Sequence, residues 1–375
     1  MSDRPATGRS EDRFPCERCG SDLRFTPGAT ELTCQHCGHV QAIAASGMTR
    51  REALAEIDYR SALRAGAATV DYEETQVVSC PSCGAQTDLH EAVQAARCPF
   101  CDTPVVTDTG AHRHIKPRAL IPFQIDERQA RARMTAWLGQ LWFAPNGLMD
   151  YARKGRPMNG VYVPYWTYDA ATRSRYTGRR GKHYYETKTV MRDGRREEVR
   201  VQKTRWEPAS GQVARDFDDV LVLGARSLPA TYTDGLEPWD LSQLVAYQTQ
   251  YLAGFGAEGY QIGLEDGFAE AQAKMARVIE GDVRRDIGGD VQEIRSLDTQ
   301  YGGVSFKHVL LPVWVAAYKY GGRTYRFVVN GQTGKVQGER PWSKVKIAFT
   351  ILAVALLIGV ILLLAESQPY LSDGY

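Results

Sequence analysis

Residues 16–38 read CERCGSDLRFTPGATELTCQHCG and residues 80–102 read CPSCGAQTDLHEAVQAARCPFCD, so the same spacing of four cysteines occurs twice. Two CxxC pairs bring four thiolates onto one tetrahedral metal ion and leave no open coordination position for catalysis. The sequence therefore predicts two zinc ribbons with one structural Zn²⁺ each, and iron remains an alternative metal. The predicted ligands are Cys16, Cys19, Cys34 and Cys37 in the first ribbon, and Cys80, Cys83, Cys98 and Cys101 in the second.

The opposite end of the chain is apolar. Residues 347–365 read IAFTILAVALLIGVILLLA and contain no charged side chain. Nineteen helical residues extend about 28 Å, close to the roughly 30 Å hydrocarbon core of a bilayer. The sequence therefore predicts a transmembrane anchor over residues 345–365, which contacts the lipid bilayer through residues 347–365.

Charges around the predicted anchor indicate its orientation. Arg340, Lys344 and Lys346 precede its apolar stretch 347–365, whereas the tail of residues 366–375 contains no lysine or arginine. By the positive-inside rule, the bulk of the chain then lies in the cytoplasm and the tail outside. The first thirteen residues contain no apolar run typical of a secretory signal peptide. We therefore expect a single-pass membrane protein whose cysteines stay reduced and bind metal.

The region between the second ribbon and the anchor is predicted to be an α+β domain of helices packed on antiparallel sheet. Its predicted elements are a strand at 120–125, a helix after Asp126, a strand-rich stretch at 161–223, a helix at 264–283, and strands at 291–299, 306–320 and 325–329. The long helix is expected to face inward with Phe268, Met275, Val278 and Ile279. The predicted boundaries are 1–45 for the first ribbon, 46–75 for a helical linker, 76–110 for the second ribbon, 111–340 for the α+β domain, 345–365 for the anchor and 366–375 for the extracytoplasmic tail.

Two short features refine this organisation. Residues 161–166, VYVPYW, are echoed by residues 309–314, VLLPVW, each with a predicted helix upstream and a hairpin downstream. This echo suggests two helix-plus-hairpin units. In the linker, Thr49 and Glu52 have the spacing of a capping box, which predicts a short helix that packs against a ribbon.

A basic segment follows the first copy of the echo. Residues 171–206 contain twelve lysines or arginines and four acids, with tyrosines and a tryptophan interleaved. Such a surface could bind nucleic acid, anionic lipid or an acidic protein, or it could be a solvated hairpin face. The candidate anionic-partner surface comprises Arg173, Arg175, Arg179, Arg180, Lys182, Lys188, Arg195, Arg196, Arg200, Lys203 and Arg205.

The remaining motifs give no catalytic signature. Asp216, Asp218 and Asp219 could hold Mg²⁺ or Ca²⁺, or simply form a turn at a strand start. The strings GxxxxGK[ST], GxSxG and HExxH do not occur. The sequence therefore predicts a protein that is not an enzyme, and it suggests no small-molecule substrate.

Several strings are shared with a known group of proteins: YVPYWTYDA at 162–170, YTGRRG at 176–181, FDDVLV at 217–222, LEPWDL at 236–241, DIGGD at 286–290, FKHVLLPVW at 306–314 and GERPWSKVKIA at 338–348. With the ribbons, they make the chain resemble the membrane-anchored, transcription-factor-IIB-type zinc-ribbon proteins of bacteria. Members of that family are often labelled primosomal protein N′, a helicase whose phosphate loop this sequence lacks. The resemblance implies the inner membrane and a scaffold role beside flotillin- or stomatin-like or phage-shock-type proteins.

Two functions follow as hypotheses. The first is a cytoplasmic, membrane-anchored zinc-ribbon adaptor that recruits protein partners at the inner membrane. The alternative is a membrane-tethered nucleic-acid-binding protein that uses the ribbons and the basic segment 171–206.

Overall fold

The structure is a computed structural model, and it describes residues 14–43, 47, 49–65, 71–80, 82, 85–88, 95–100, 103–106, 110–143, 158–192, 195–320, 323–339 and 342–366. The described residues up to Ile115 contain β1 (Leu23–Phe25), β2 (Glu31–Cys34), β3 (Val40–Ala42), α1 (Arg50–Ala53), β4 (Ile57–Asp58), α2 (Tyr59–Ala65), β5 (Tyr72–Ser79), β6 (Gln86–Asp88), β7 (Ala95–Arg97), β8 (Pro104–Val106) and β9 (Gly110–Ile115). Within the two predicted ribbon regions, β1 to β3 and β6 to β8 contain three or four residues each.

The larger part follows Ile115. It contains β10 (Ala119–Leu120), α3 (Glu127–Gly139), β11 (Asn159–Arg192), β12 (Arg195–Leu223), α4 (Ala230–Gly235), β13 (Val245–Ala246), β14 (Gly256–Ala257), α5 (Leu264–Ile287), β15 (Val291–Tyr320), β16 (Arg323–Asn330), β17 (Val336–Gly338) and α6 (Lys344–Glu366). Two 3₁₀ turns lie at Leu241–Gln243 and Thr249–Leu252. The fold class is α+β with mostly antiparallel pairing, as the sequence predicts.

The central sheet is built around three unusually long strands. Its order is β12-β11-β15-β10-β13, with β4, β14, β16 and β17 paired to its members. β11 contains 34 residues, β12 29 and β15 30, whereas strands of about 5–6 residues are typical. The separate strands predicted at 291–299 and 306–320 are joined through Gly302 and Gly303, and Gly303 has a φ of +58°. This left-handed conformation suits a glycine and lets one strand continue through the irregularity.

The two echo segments, residues 161–166 and 309–314, lie side by side on paired strands. Tyr162 pairs with Pro312 and Pro164 with Leu310, because β11 and β15 run antiparallel through both copies. α3 precedes the β11–β12 hairpin and α5 precedes the β15–β16 hairpin. The chain therefore contains the two helix-plus-hairpin arrangements that the echo suggested, joined at their first strands.

A two-stranded arm extends beyond the central sheet. β15 pairs with β11 only as far as Gly181, opposite Val291. Residues 182–192 of β11 then pair with residues 195–205 of β12 alone, and we call these two segments the arm. Eleven strand residues correspond to about 36 Å. The arm therefore projects from the body with both of its faces outside the main core.

α5 covers the base of the β11–β12 hairpin. Met275, Ile279, Val283 and Ile287 recur every four residues and are buried, which is the spacing of a single helix face. The helix extends one turn beyond the predicted end. The prediction that Val278 faces inward is wrong, since its side chain is 42% exposed.

The first ribbon is part of the body rather than a separate head. Leu23, Phe25 and Leu32 are buried in the cluster that also contains Phe123 and Tyr251. The Phe25 amide donates to the Ala253 carbonyl at 2.9 Å, and the rings of Phe25 and Tyr251 lie 5.3 Å apart. A ribbon of this size encloses little apolar volume, so the sheet supplies the cover that the ribbon lacks.

The linker is helical only in part. The capping box is confirmed, since the Thr49 side chain accepts from the Glu52 amide and the Glu52 carboxylate accepts from the Thr49 amide. After α1, however, the two-residue strand β4 pairs with β15 at Ser305 and Phe306. The Arg50 guanidinium also donates to the Leu244 carbonyl at 3.2 Å. The linker thus packs on the central domain, and Leu54 also packs against a cluster that contains Cys80 and Cys98 of the predicted second ribbon.

α6 is the apolar helix expected at the end of the chain. Val345–Leu363 has a mean hydropathy of 2.7, and none of its most apolar stretch is buried. A soluble core helix of this composition would be covered, so an uncovered apolar surface suits a lipid environment. The helix is long and apolar enough to cross a membrane.

Candidate metal centre and interaction surfaces

The first cysteine quartet forms one compact cluster. The Sγ atoms of Cys16 and Cys37 lie 3.6 Å apart, those of Cys19 and Cys34 3.5 Å apart, and all four lie within 4.8 Å of one another. A disulfide would require about 2.05 Å. Four sulfurs around a tetrahedral Zn²⁺ at about 2.3 Å would be about 3.8 Å apart. The spacing therefore fits a metal ion held by four thiolates, and this cluster is a possible metal site.

Backbone hydrogen bonds hold each CxxC turn of this ribbon. The Cys16 amide donates to the Ser21 carbonyl at 2.7 Å, and the Cys34 amide donates to the His39 carbonyl at 2.8 Å. Gly20 follows the second cysteine of the first turn with a φ of +74°, where a side chain would be strained. The local sequence thus folds each pair into a tight turn that aims both sulfurs inward.

The thiols of Cys19 and Cys37 have different pKa values. The pKa of Cys19 is lowered to about 6, first because the Ser21 amide donates to its sulfur and then because the Ser21 hydroxyl does. The His39 amide also lowers the pKa of Cys37, but burial and contacts with the other three thiols outweigh it and raise that pKa to about 12. Four thiolates so close together repel one another, so the set needs a cation before all of them can ionise.

Half of the second quartet lies outside the described residues, namely Cys83 and Cys101. Cys80 and Cys98 are both buried at 3% exposure. The Cys80 amide donates to the Ala85 carbonyl at 2.8 Å, and the Cys98 amide donates to the Thr103 carbonyl at 2.9 Å. Each bond joins a cysteine to the residue five positions later, as in the first ribbon. The described half of this ribbon therefore repeats the turn geometry of the first.

A second charged cluster joins residues that are distant in sequence. Carboxylate oxygens of Glu56, Asp169 and Asp218 lie within 4.8 Å of one another. Lys307 Nζ lies 2.8 Å from Asp219 Oδ1 and 3.3 Å from Glu56 Oε1. We call these five residues the acid–lysine cluster. It fastens the linker to the sheet, because Glu56 directly precedes β4 and Lys307 lies on β15.

Strand irregularity creates the acid–lysine cluster. The pairing of β11 with β12 shifts between Tyr168 and Ala170, so Asp169 lies in a bulge opposite Asp218 and Asp219. Asp219 has a φ of +52°, and its amide donates to Asp169 Oδ1. Of the predicted acidic run, Asp218 and Asp219 join the cluster, whereas Asp216 pairs within the strand opposite Ala171.

Burial sets the protonation of this cluster. It raises the pKa of Asp169 to about 7, and a hydrogen bond with Glu56 adds to the effect. Burial also lowers the pKa of Lys307, but the hydrogen bond and charge of Asp219 outweigh it and raise that pKa overall. Lys307 is only 7% exposed, so its ammonium remains charged because acids surround it. The sequence reasoning missed Glu56, Asp169 and Lys307, although two of them stand out as charges within apolar strands, in YWTYDA and FKHVLL.

The candidate anionic-partner surface is divided between the two sheet faces. Side chains alternate along a strand, and Tyr176 fixes the phase because its hydroxyl donates to Asp286 of α5 at 2.6 Å. The cross-strand register then assigns each basic residue to a face. The face that continues the α5 side carries Arg180, Lys182, Lys188, Arg195, Lys203 and Arg205, and the opposite face carries Arg173, Arg175, Arg179, Arg196 and Arg200. We call the first set the basic face.

Several of these cations are already partnered. Arg179 pairs with Glu293, Arg180 with Glu207 at 3.4 Å, and Lys203 with Glu186. The Arg205 guanidinium lies 5.6 Å from the Tyr184 ring centroid. Within the described part of the chain, no ion pair is formed by Lys182, Lys188, Arg195 or Arg205. Their charges therefore remain available on the basic face of the arm.

The arm and the apolar helix α6 lie at opposite ends of β11. At the start of α6, the Ser343 amide donates to the Phe143 carbonyl at 2.8 Å, just after α3. α3 in turn packs on β16 near Phe327, which pairs with Ala316 of β15. Val315, which precedes Ala316 on β15, pairs with Asn159, the first residue of β11. The arm begins 23 residues after Asn159, about 75 Å further along the strand.

Comparison with known proteins gives one extended match. The chain is 29% identical over 337 residues to the uncharacterized protein YdjG of Bacillus subtilis (strain 168), covering 89% of this chain and 92% of that protein. The likeness thus extends well beyond the ribbons. No protein-family model matches the chain, and no solved structure matches it significantly.

Proposed function

We propose that this chain is a membrane-anchored zinc-ribbon adaptor, which presents the arm to a partner in the cytoplasm. The observation that carries the proposal is the position of the arm, at the opposite end of β11 from α6. A two-stranded extension this long contributes little to the core, so a role in contacting another molecule accounts for it. Arg340, Lys344 and Lys346, which precede the apolar stretch 347–365, support a cytoplasmic body by the positive-inside rule.

Zinc has a structural role in this proposal. Cys16, Cys19, Cys34 and Cys37 supply a closed four-thiolate site, and the repeated turns at Cys80 and Cys98 support a second site of the same kind. A metal ion there would neutralise the thiolates and hold the ribbon strands together. Because the first ribbon packs into the body, its metal would stabilise the domain that carries the arm.

Lipid headgroups are less suitable as the partner of the basic face. The attraction between basic side chains and an anionic membrane surface falls off within a Debye length, about 8 Å at physiological salt. The arm starts about 75 Å along the strand from the anchored end. A protein partner with an acidic surface fits better, and the flotillin-like, stomatin-like or phage-shock-type proteins implied by the resemblance are candidates.

Proximity labelling in native membranes tests the adaptor role. Lys188→Gln with Arg205→Gln removes two charges from the basic face of the arm, and Arg196→Gln with Arg200→Gln removes two from the opposite face. We expect the first pair to deplete the labelled partners severalfold and the second pair to retain them. Replacing residues 183–204 by an Asn-Gly turn should abolish the same labelling. An unchanged set of labelled partners after this deletion would contradict the adaptor proposal.

Nucleic acid is the second candidate partner, and the shape of the arm favours it. A two-stranded β-ribbon fits the major groove of B-DNA, and the basic face has four cations without an ion pair among the described residues. Binding would be strongly salt-dependent, with a log–log slope of about −0.9 per phosphate contacted. The Lys188→Gln and Arg205→Gln pair should reduce that slope by about 2. A lack of duplex retention at about 50 mM salt would rule this candidate out.

A further inference from the structure

The end of α3 and the start of α6 form one exposed aromatic corner. Lys346 Nζ donates to the Trp142 carbonyl at 3.2 Å, and the rings of Phe143 and Trp342 lie 6.0 Å apart. Trp142 is 77% exposed and Trp342 64% exposed. Two large indoles are thus left uncovered beside the first turn of the apolar helix.

Water is a poor environment for such a corner. By contrast, Trp166 and Trp314 on the central sheet and Trp239 beside it are covered, at 0%, 6% and 7% exposure. Indole side chains favour the bilayer interface, where the ring contacts the acyl region and the N–H stays hydrated. A lysine at the same level favours the headgroup region. The composition of this corner therefore matches an interfacial anchor.

A groove leads from the corner along α6. It encloses about 710 Å³ and is lined on one side by Leu138, Leu141 and Trp142, and on the other by residues of α6 that include Phe349, Ala353 and Leu357. Leu357 lies eleven residues beyond Lys346, or about 16 Å along the helix, roughly half of the hydrocarbon thickness. The groove is apolar and runs in the direction of the bilayer interior.

We infer that the end of α3 with residues 141–143 rests in the interface of the bilayer that α6 spans, and that a phospholipid acyl chain fills the groove between them. The inference rests on the proposed membrane anchoring of α6. This contact is a second point of attachment beside α6. Two points of attachment restrict the orientation of the body relative to the bilayer. The arm is then held away from the surface rather than free to swing onto it.

Quenching by brominated lipids tests the interfacial contact. The full chain is placed in vesicles of phosphatidylcholine and phosphatidylglycerol, with or without bromine on the acyl chains near the glycerol end. We expect strong quenching of tryptophan emission in the wild type, and a decrease of the quenched fraction by about half in Trp142→Phe. Trp206→Phe, which removes an indole next to the arm, should leave the quenched fraction unchanged.

Photo-crosslinking tests the groove itself. A phospholipid with a photoreactive acyl chain should label residues 138–143 as well as α6. Ala353→Trp fills the groove and should reduce the label on residues 138–143 severalfold, whereas Ala355→Trp, which does not line the groove, should retain it. Equal quenching in the wild type and Trp142→Phe, or label confined to α6, would overturn the inference while α6 remained inserted. Release of the chain by alkaline carbonate would overturn both the inference and the anchor.

Discussion

Cys34 illustrates how one residue can connect metal, ribbon and body. Its side chain is 1% exposed, it pairs across the hairpin with Leu23, and it belongs to the cluster that contains Phe123. A metal ion bound there would hold the first ribbon in its fold, and the ribbon in turn covers part of the central domain. The stability of the body should therefore depend on this thiol.

Cys34→Ser should remove one of two zinc ions per chain and lower the melting temperature of the whole body. The physical reason is that metal binding in such a ribbon is folding free energy. Metal analysis of the purified full chain and thermal unfolding measure the two effects. His36→Ala, an exposed neighbour, is the matched control and should leave both values unchanged. A Cys34→Ser chain that retained two zinc ions would contradict the assignment.

Asp169 predicts a pH dependence of stability. Its pKa is about 7 in the folded protein and about 3.9 in an unfolded chain. The folded state therefore binds more protons in this interval, and the contribution of Asp169 to stability falls as pH rises from about 4 to 7. The slope is up to about 1.4 kcal/mol per pH unit for one proton.

Denaturant unfolding at pH 5, 6, 7 and 8 measures this dependence. Asp169→Asn keeps a side chain of the same shape and removes the titration, so we expect a flatter profile and greater stability than wild type at pH 8. Asp216→Asn is the control, because Asp216 lies outside the cluster. Parallel profiles for wild type and Asp169→Asn would show that Asp169 ionises normally.

Among the elements, α5 packs with one face on the base of the long hairpin. Ile279 is 1% exposed and its neighbour Val278 is 42% exposed. Ile279→Ala should cost about 2–5 kcal/mol of unfolding free energy, because it leaves a cavity in a packed layer. Val278→Ala should cost less than about 1 kcal/mol. Urea unfolding measures the free energy of unfolding of both variants. Equal losses would mean that Ile279 does not face the sheet more closely than Val278 does.

At the scale of the whole molecule, the chain separates the apolar helix α6 from the arm. α6 and the aromatic corner lie near the start of β11, and the arm lies at its end. The first cysteine cluster, the residues around Cys80 and Cys98, and α5 all pack onto the central sheet. This arrangement would let a membrane-bound protein hold a contact surface at a distance from the bilayer.

Trypsin accessibility tests this arrangement and its orientation together. Arg195 and Arg196 are exposed near the end of the arm, so trypsin should cut there first. We expect cleavage in inverted membrane vesicles, which expose the cytoplasmic face, and protection in right-side-out vesicles. If α6 spans the bilayer as proposed, residues 347–363 should survive in both preparations. Arm cleavage confined to right-side-out vesicles would reverse the proposed orientation.

The parts of this protein that sequence could predict are those with local causes. The capping box at Thr49 and the helix that follows Asp126 each depend on residues a few positions apart, and each is confirmed. The lengths of the strands were harder to predict from the sequence, because glycines such as Gly302 are typical of strand ends. Pairing with a neighbouring strand carries β15 through that point, and such pairing is not visible in one sequence.

By itself, the sequence determined the cysteine quartet of the first ribbon, the apolar helix and the α+β class, because spacing and composition govern these features directly. Only the tertiary structure decided which basic residues share a face, since a strand places its side chains by register. It also determined the acid–lysine cluster, in which Lys307 contacts Glu56 although the two residues are 251 positions apart in the sequence. Long-range strand pairing brings such residues together, and the energy of that pairing depends on the whole sheet.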